Sequence, residues 1–201
     1  IQSGYDFSKS RNGGIEVESE AINNVLRYGF DEKYELSLVA NYNNLGNEGN
    51  IGNVQIGGRV NLIHPSKVRL PTTCFQTRIQ LIDGEGNERK RLTTVSIISS
   101  VLDMEMLGNL TANLIISNTT EEDIDLNGTT LAWGINLNPS IGYFIEHFLT
   151  KDNDHYDNNW NTGLSYLVNK DLALDISFGG DLEDETLNEF FSAGFSWRKC
   201  S

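Results

Sequence analysis

The side chains that could do chemistry in this chain are charged and widely spaced. Arg27, Arg59, Arg78 and Arg198, together with Asp6, Glu35, Glu146 and Asp175, each sit in a stretch where apolar and polar residues alternate, and each falls on the polar phase. If the stretches are strands, a period of two sends all eight to one face of a sheet. Facing one another across an enclosed, hydrated space, such cations and carboxylates set up a transverse field that selects small polar or ionic solutes, as charged rings do in pores. The same groups could instead pair with each other and with Gln and Asn, filling the interior and leaving no passage. The residues leave both readings open.

Other chemistry has weaker support. His64, His147 and His155 fall on a turn, a strand and a loop, without the spacing of a metal site. The glycine-rich "GNEGNIGNVQIGG" (46–58) precedes no helix, so it is no phosphate cradle. No Ser/His/Asp constellation has local support, and neither enzymatic activity nor a cofactor is expected. Glu121, Glu122, Asp123, Asp125, Asp152, Asp154, Asp181, Glu183, Asp184 and Glu185 cluster in connecting segments. Solvated surface charge is the default for them, with divalent cations or a partner as the functional alternative. Cys74 and Cys200 are too few and too far apart for a disulfide scaffold or a zinc site. Unpaired thiols, or contact with another subunit, are expected.

The 201 residues carry 15 Lys and Arg against 28 Asp and Glu, a net charge of -13. Binding to phosphates needs concentrated Lys and Arg, so nucleic acid is excluded as a partner. The one basic cluster, "ERKR" (88–91), lies among glycines and is expected to be a solvated loop tip. No run approaches the roughly 18 continuous apolar residues of a membrane helix, so a spanning structure would have to be a closed barrel. The strand-like pattern opens at Ile1, which leaves the compartment open between the cytoplasm and, after cleavage of an export signal, the envelope.

Alternation bounded by Gly, Asn, Asp or Pro predicts about twelve strands: 1–9, 15–28, 34–43, 53–64, 72–83, 93–103, 110–119, 127–137, 141–150, 159–168, 171–180 and 188–198. Most are near the nine to eleven residues that a tilted strand needs to cross a bilayer, well above the five or six common in globular sheets. Short turns are expected at 31–33, 65–67, 106–109, 138–140 and 169–170, and longer acidic, Gly- and Asn-rich loops at 43–52, 84–91, 120–126, 151–158 and 181–187. Tight turns at one end and longer loops at the other are the rhythm of an up-and-down outer-membrane barrel, and an even strand count puts both termini on the periplasmic side.

The faces agree with this. In "DLALDISFGG" (171–180), Leu172, Leu174, Ile176 and Phe178 share one side, and Asp171, Asp175 and Ser177 the other. Tyr34, Tyr42, Phe75, Trp133, Tyr166, Phe195 and Trp197 belong to apolar phases as well, several of them near strand ends where interfacial girdles form. The polar phases are too charged for a dry core, since each unpaired buried ion costs several kcal/mol. The expectation is therefore apolar residues toward lipid and charged residues toward the interior. Two places resist. Segment 15–28 carries Glu16, Glu18 and Glu20 on one face and then loses phase, which calls for a bulge or a strand projecting beyond the membrane; "TTVSIISSVLD" (93–103) gives no clear inside and outside.

The motifs "VLRYGFDEKYELSLVANY" (25–42), "IGYFIEHF" (141–148), "GLSYLVNKDLALDISFGG" (163–180) and "EFFSAGFSWR" (189–198) resemble those of the meta-pathway phenol-degradation family of bacterial outer-membrane barrels, whose members are usually inferred to be transporters. The resemblance covers about half of the chain. It implies an outer-membrane barrel that moves small molecules, and its recurring polar positions match Arg27, Glu35, Glu146, Asp175 and Arg198. The family pattern tends to end on an aromatic just after the arginine, whereas here "RKCS" follows Trp197, which puts Trp197 in question as an assembly signal.

The expectation is thus a single all-β domain, 1–201, forming an antiparallel transmembrane barrel of about twelve strands in a bacterial outer membrane. Its partners would be the lipid bilayer and a small solute. A non-conducting subunit of a larger outer-membrane complex and a soluble lipocalin-like binding barrel are the two competing readings.

Overall fold

The computed structural model describes residues 1–12, 15–45, 48–63, 70–82, 91–119, 125–152, 155–182 and 187–199. Twelve strands follow one another in chain order: β1 (Gln2–Asn12), β2 (Ile15–Gly29), β3 (Tyr34–Leu45), β4 (Glu48–Ile63), β5 (Thr72–Ile82), β6 (Arg91–Asp103), β7 (Asn109–Thr119), β8 (Asp125–Asn138), β9 (Ile141–Asp152), β10 (His155–Asn169), β11 (Leu172–Asp181) and β12 (Leu187–Trp197). Every strand pairs antiparallel with its chain neighbours, and β1 pairs with β12 to close the barrel. The Ile1 amino group donates to the Trp197 carbonyl at 2.7 Å, so the described ends of the chain meet on one rim. That rim also carries the connections β2–β3, β4–β5, β6–β7, β8–β9 and β10–β11. No described helix is long and apolar enough to cross a membrane; a single 3-10 turn, Glu105–Leu107, joins β6 to β7.

One device recurs on that rim. A side-chain oxygen of the residue opening the turn accepts from backbone N–H groups two and three residues on, as short Asx side chains do. Asp31 does so toward Lys33 and Tyr34 at 2.7 and 2.8 Å, Asn138 toward Ser140 and Ile141 at 2.9 Å, and Asn169 toward Asp171 and Leu172 at 2.9 and 3.0 Å. Asp103 accepts from Glu105 N at 2.8 Å in the β6–β7 connection. There Gly108 has φ +87°, and a Cβ on it would come 2.1 Å from the Gly134 carbonyl oxygen, so only glycine fits.

Connection lengths depart from expectation. The presumed long loop at 43–52 is mostly ladder: Tyr42 pairs with Ile51 and Asn44 with Gly49, leaving residues 46–47 between β3 and β4. Likewise Tyr156 pairs with Lys151, and residues 153–154 join β9 to β10. The "PSK" turn at 65–67 lies outside the described residues. Asn, Asp and Gly are poor strand formers in isolation, but an antiparallel ladder satisfies the backbone whatever the side chain, and composition alone mistakes such hairpins for loops. Of the two doubtful segments, β2 runs without a bulge against both neighbours and extends past the shorter strands. In β6 the Ser96 and Thr77 hydroxyls lie within 3.3 Å on the convex face, while Ser99 pairs with Cys74 on the concave one.

The two faces of this single closed sheet differ as the alternation requires. Convex side chains are large, apolar and open: Leu36 is 50 % exposed, Ile56 65 %, Ile176 51 % and Phe178 57 %. Among the described residues the only buried hydrophobic side chains are Val39 and Cys74, and none of the large ones is fully buried. Among the described residues no second layer packs against the sheet, and they form no dry core.

Candidate functional site

The concave face gathers most of the charges singled out from the sequence. Arg27 on β2 has its Nε 3.7 Å from Glu35 Oε1 on β3. Glu35 is level with Arg59 on β4, which is level in turn with Gln76 on β5. With its amide turned toward the guanidinium, Gln76 accepts from Arg78 Nε and Nη2 at 2.5 and 2.8 Å. Gln55 donates to Gln80 at 2.9 Å beside this group. Gly57 makes room for it: a Cβ there would lie 2.8 Å from Arg78 Cγ and 3.0 Å from Ser37 Oγ, so the Arg78 stem lies over Gly57 of β4. Arg59 has no side-chain hydrogen bond or ion pair among the described residues.

The carboxylates occupy another arc. Asp6 on β1 accepts from the Asn23 amide of β2. Asp175 on β11 lies against Gly194 of β12, whose Cβ, if present, would be 3.0 Å from Oδ2. Glu146 on β9 accepts from the Asn161 amide at 3.5 Å. Arg198 lies apart from them. It follows the end of β12, is exposed, and its Nε and Nη2 donate to the Lys170 carbonyl at the β10–β11 turn, both at 3.4 Å.

Three concave residues escaped the sequence reading: Phe144 and Phe148 on β9 and Phe190 on β12. A Cβ on Gly163 would come 2.6 Å from Phe144 Cζ, and one on Gly179 would come 2.7 Å from Phe190 Cζ, so both rings reach over a glycine of the adjacent strand. The Phe148 and Phe190 centroids are 6.1 Å apart. Phase would have found them, because Phe144 and Phe148 alternate with Ile145 and share the side of Glu146, while Phe190 shares the side of Ser192.

On the convex face, Leu172, Leu174, Ile176 and Phe178 stand level with Trp197, Phe195, Ala193 and Phe191 of β12. Aromatic pairs mark both rims. Toward the rim with the chain ends, Trp133 Nε1 donates to the Leu107 carbonyl at 2.8 Å and its ring meets Tyr143 edge-on at 6.2 Å. Tyr28 meets Phe30 at 5.1 Å, Lys33 Nζ sits 5.4 Å above Tyr34, and Tyr166 and Trp197 are exposed. Toward the other rim lie Tyr42 and the Trp160–Phe178 pair, 5.8 Å apart. Phe75 lines a shallow apolar groove over Gly58 with Leu36 and Val60. Tyr28, Phe30, Tyr143 and Trp160 are further convex aromatics near the rims, beyond the residues named from sequence. His147 is also convex, with Nε2 2.5 Å from Asn158 Oδ1.

His64, Cys200, residues 88–90 of the basic cluster, and the acidic residues at 121–123, 154 and 183–185 lie outside the described residues.

A family model described as "Putative MetA-pathway of phenol degradation" matches residues 3–198. No curated protein matches the chain. Among solved structures, the KdgM porin in complex with disordered oligogalacturonate superposes with a TM-score of 0.65 at 11% identity, covering 100% of both chains. The COG4313 outer membrane channel from Pseudomonas putida F1 gives 0.63 at 9% identity, over 98% of this chain and 94% of that one. The NanC porin gives 0.55 at 10% identity, over 97% and 100%. At these identities the likeness is one of fold: a barrel shared with outer-membrane porins and channels.

Proposed function

Since the chain belongs to the MetA-pathway phenol-degradation family, we propose that it is an outer-membrane channel for small solutes with a charged, polar lumen. One observation carries this reading: a closed twelve-stranded sheet whose large apolar side chains are exposed on the outside while Asp6, Arg27, Glu35, Arg59, Arg78, Glu146 and Asp175 point inward, convex charges such as Lys9, Glu18 and Glu20 standing toward the rim away from the chain ends. In water, leaving each Leu, Ile or Phe exposed forgoes about 1.5–3 kcal/mol of burial, and soluble monomers rarely expose apolar patches beyond a few hundred Å². Hydrocarbon removes that cost. The soluble binding-barrel reading has no comparable account of the belt.

On this reading residues 1–201 form one domain. Leu172, Leu174, Ile176, Phe75 and Phe195 contact lipid, and Tyr34, Tyr42, Trp133, Tyr166, Phe178 and Trp197 belong to the two interfacial girdles. The rim where β1 begins and β12 ends faces the periplasm, as both ends of an even-stranded outer-membrane barrel do. Asp6, Arg27, Glu35, Arg59, Arg78, Glu146 and Asp175 line the passage, with Arg198 at its periplasmic edge. Their field sorts solutes by charge, and passage without chemical conversion is the whole activity.

Reconstitution into planar bilayers tests this. Discrete conductance steps that change when Arg59 or Arg78 is neutralised are expected. A folded barrel that never conducts would overturn the proposal and leave the accessory-subunit reading.

A further inference from the structure

The channel reading assigns no task to Phe144, Phe148 and Phe190. They sit on β9 and β12, and in a closed ring of twelve strands β9 stands opposite β3 and β12 opposite β6. Arg59 on β4 and Arg78 on β5 stand opposite β10 and β11, between the strands that carry the rings, so the aromatic arc faces these two arginines, whereas Arg27 on β2 is two strands from β12. Glycines support the rings: Gly163 under Phe144 and Gly179 under Phe190 let each side chain lie across the neighbouring strand, along the wall. Rings laid over a strand in this way form a surface that another ring can follow, by offset or edge-on contact.

Charge on the two arcs is divided as well. Asp6, Glu146 and Asp175 accompany the phenylalanines on β1, β9 and β11, whereas Arg59, opposite, has no ion-pair partner among the described residues, and Glu35 beside it is paired with Arg27. A carboxylate crossing the lumen is pushed from the first arc and drawn to the second. A solute with a carboxylate at one end and a flat ring at the other is turned by this field, its charge toward Arg59 and its ring toward Phe144, Phe148 and Phe190. Neither arc alone makes that distinction.

We propose that the lumen selects small aromatic carboxylates over non-aromatic carboxylates of the same size and charge, with Phe148 and Phe190 as the residues that set the preference. The inference rests on the channel reading and names its solute class.

The test is block of potassium chloride current through single barrels by benzoate, cyclohexanecarboxylate and galacturonate, with heat-modifiable gel mobility showing that each variant has folded. Half-block by benzoate is expected at a concentration about threefold or more below that for cyclohexanecarboxylate, the scale of one aromatic contact. In F148L/F190L the two should block equally, while R59Q should raise both concentrations together. Equal block in the unaltered barrel, a preference for galacturonate, or a benzoate preference that survives in F148L/F190L would each overturn the inference and leave the channel intact. A barrel with no current would overturn both.

Discussion

Arg78 lies across Gly57. A Cβ on the glycine would approach Arg78 Cγ to 2.8 Å and the Thr77 carbonyl oxygen to 2.6 Å. The first contact is with a flexible side chain, but the second is with backbone of the paired strand and cannot yield without moving β5. Gly57→Val is therefore expected to destabilise the barrel by about 1–3 kcal/mol, the usual cost of overpacking. It should also turn the guanidinium away from Gln76. The urea midpoint for folding into lipid vesicles checks the first effect, and a changed single-channel conductance checks the second.

Arg59 and Glu35 are level on adjacent strands, yet neutralising them should act in opposite directions. Arg59 has no described partner, so Arg59→Gln removes an unopposed positive charge, and the anion-to-cation permeability ratio should fall by about two- to fivefold. Glu35→Gln releases Arg27 from its 3.7 Å partner and should raise the ratio. Reversal potentials across a potassium chloride gradient read both, and movement in the same direction would show that these two groups do not face one passage.

Trp133 ties the barrel wall to the 3-10 turn, through its indole N–H to the Leu107 carbonyl and its edge-on contact with Tyr143. Trp133→Phe keeps a ring and removes the donor, so it should cost about 1 kcal/mol. Trp133→Ala also loses the edge-on aromatic contact, and about 1.5–2.5 kcal/mol is expected. Unfolding titrations of the two variants separate the contributions. Equal losses would mean that the hydrogen bond carries the effect alone.

What was legible in the sequence follows from what a period of two encodes. Alternation assigns a residue to a face, and Leu172 to Phe178 came out convex and Asp175 concave because phase needs no knowledge of the partner strand. The turns at Asp31, Asn138 and Asn169 were legible too, since each is closed by a side chain local to it. Register was not. Whether Arg78 meets Gly57, Phe144 meets Gly163 or Phe190 meets Gly179 depends on how two strands slide past each other, and neither strand carries that information alone. Hairpin length was hidden for a related reason: Asn43 and Asn44 read as loop residues, yet pairing with Asn50 and Gly49 keeps them in the ladder. Phe144 and Phe148 are apolar on a polar phase, so composition gives no sign of their side, although Glu146 between them fixes it.

Ile176 and Ser177 are consecutive in β11 and point to opposite faces, which makes them the sharpest single test of the orientation on which the functional reading stands. Ile176 is convex, 51 % exposed and central in the run from Leu172 to Phe178; Ser177 pairs with Ser192 on the concave face. An arginine on a lipid face costs about 2–4 kcal/mol near the bilayer midplane, whereas one in a hydrated lumen keeps its water. Ile176→Arg should therefore lower stability in vesicles by about that amount, and Ser177→Arg by well under half of it while altering conductance. Both substitutions add the same side chain to the same strand at adjacent positions, and the Ile-to-Ser difference in strand propensity, about 1 kcal/mol at most, is smaller than the effect expected. The reverse order, with Ser177→Arg the more damaging, would place hydrocarbon on the concave side and remove the basis for a channel.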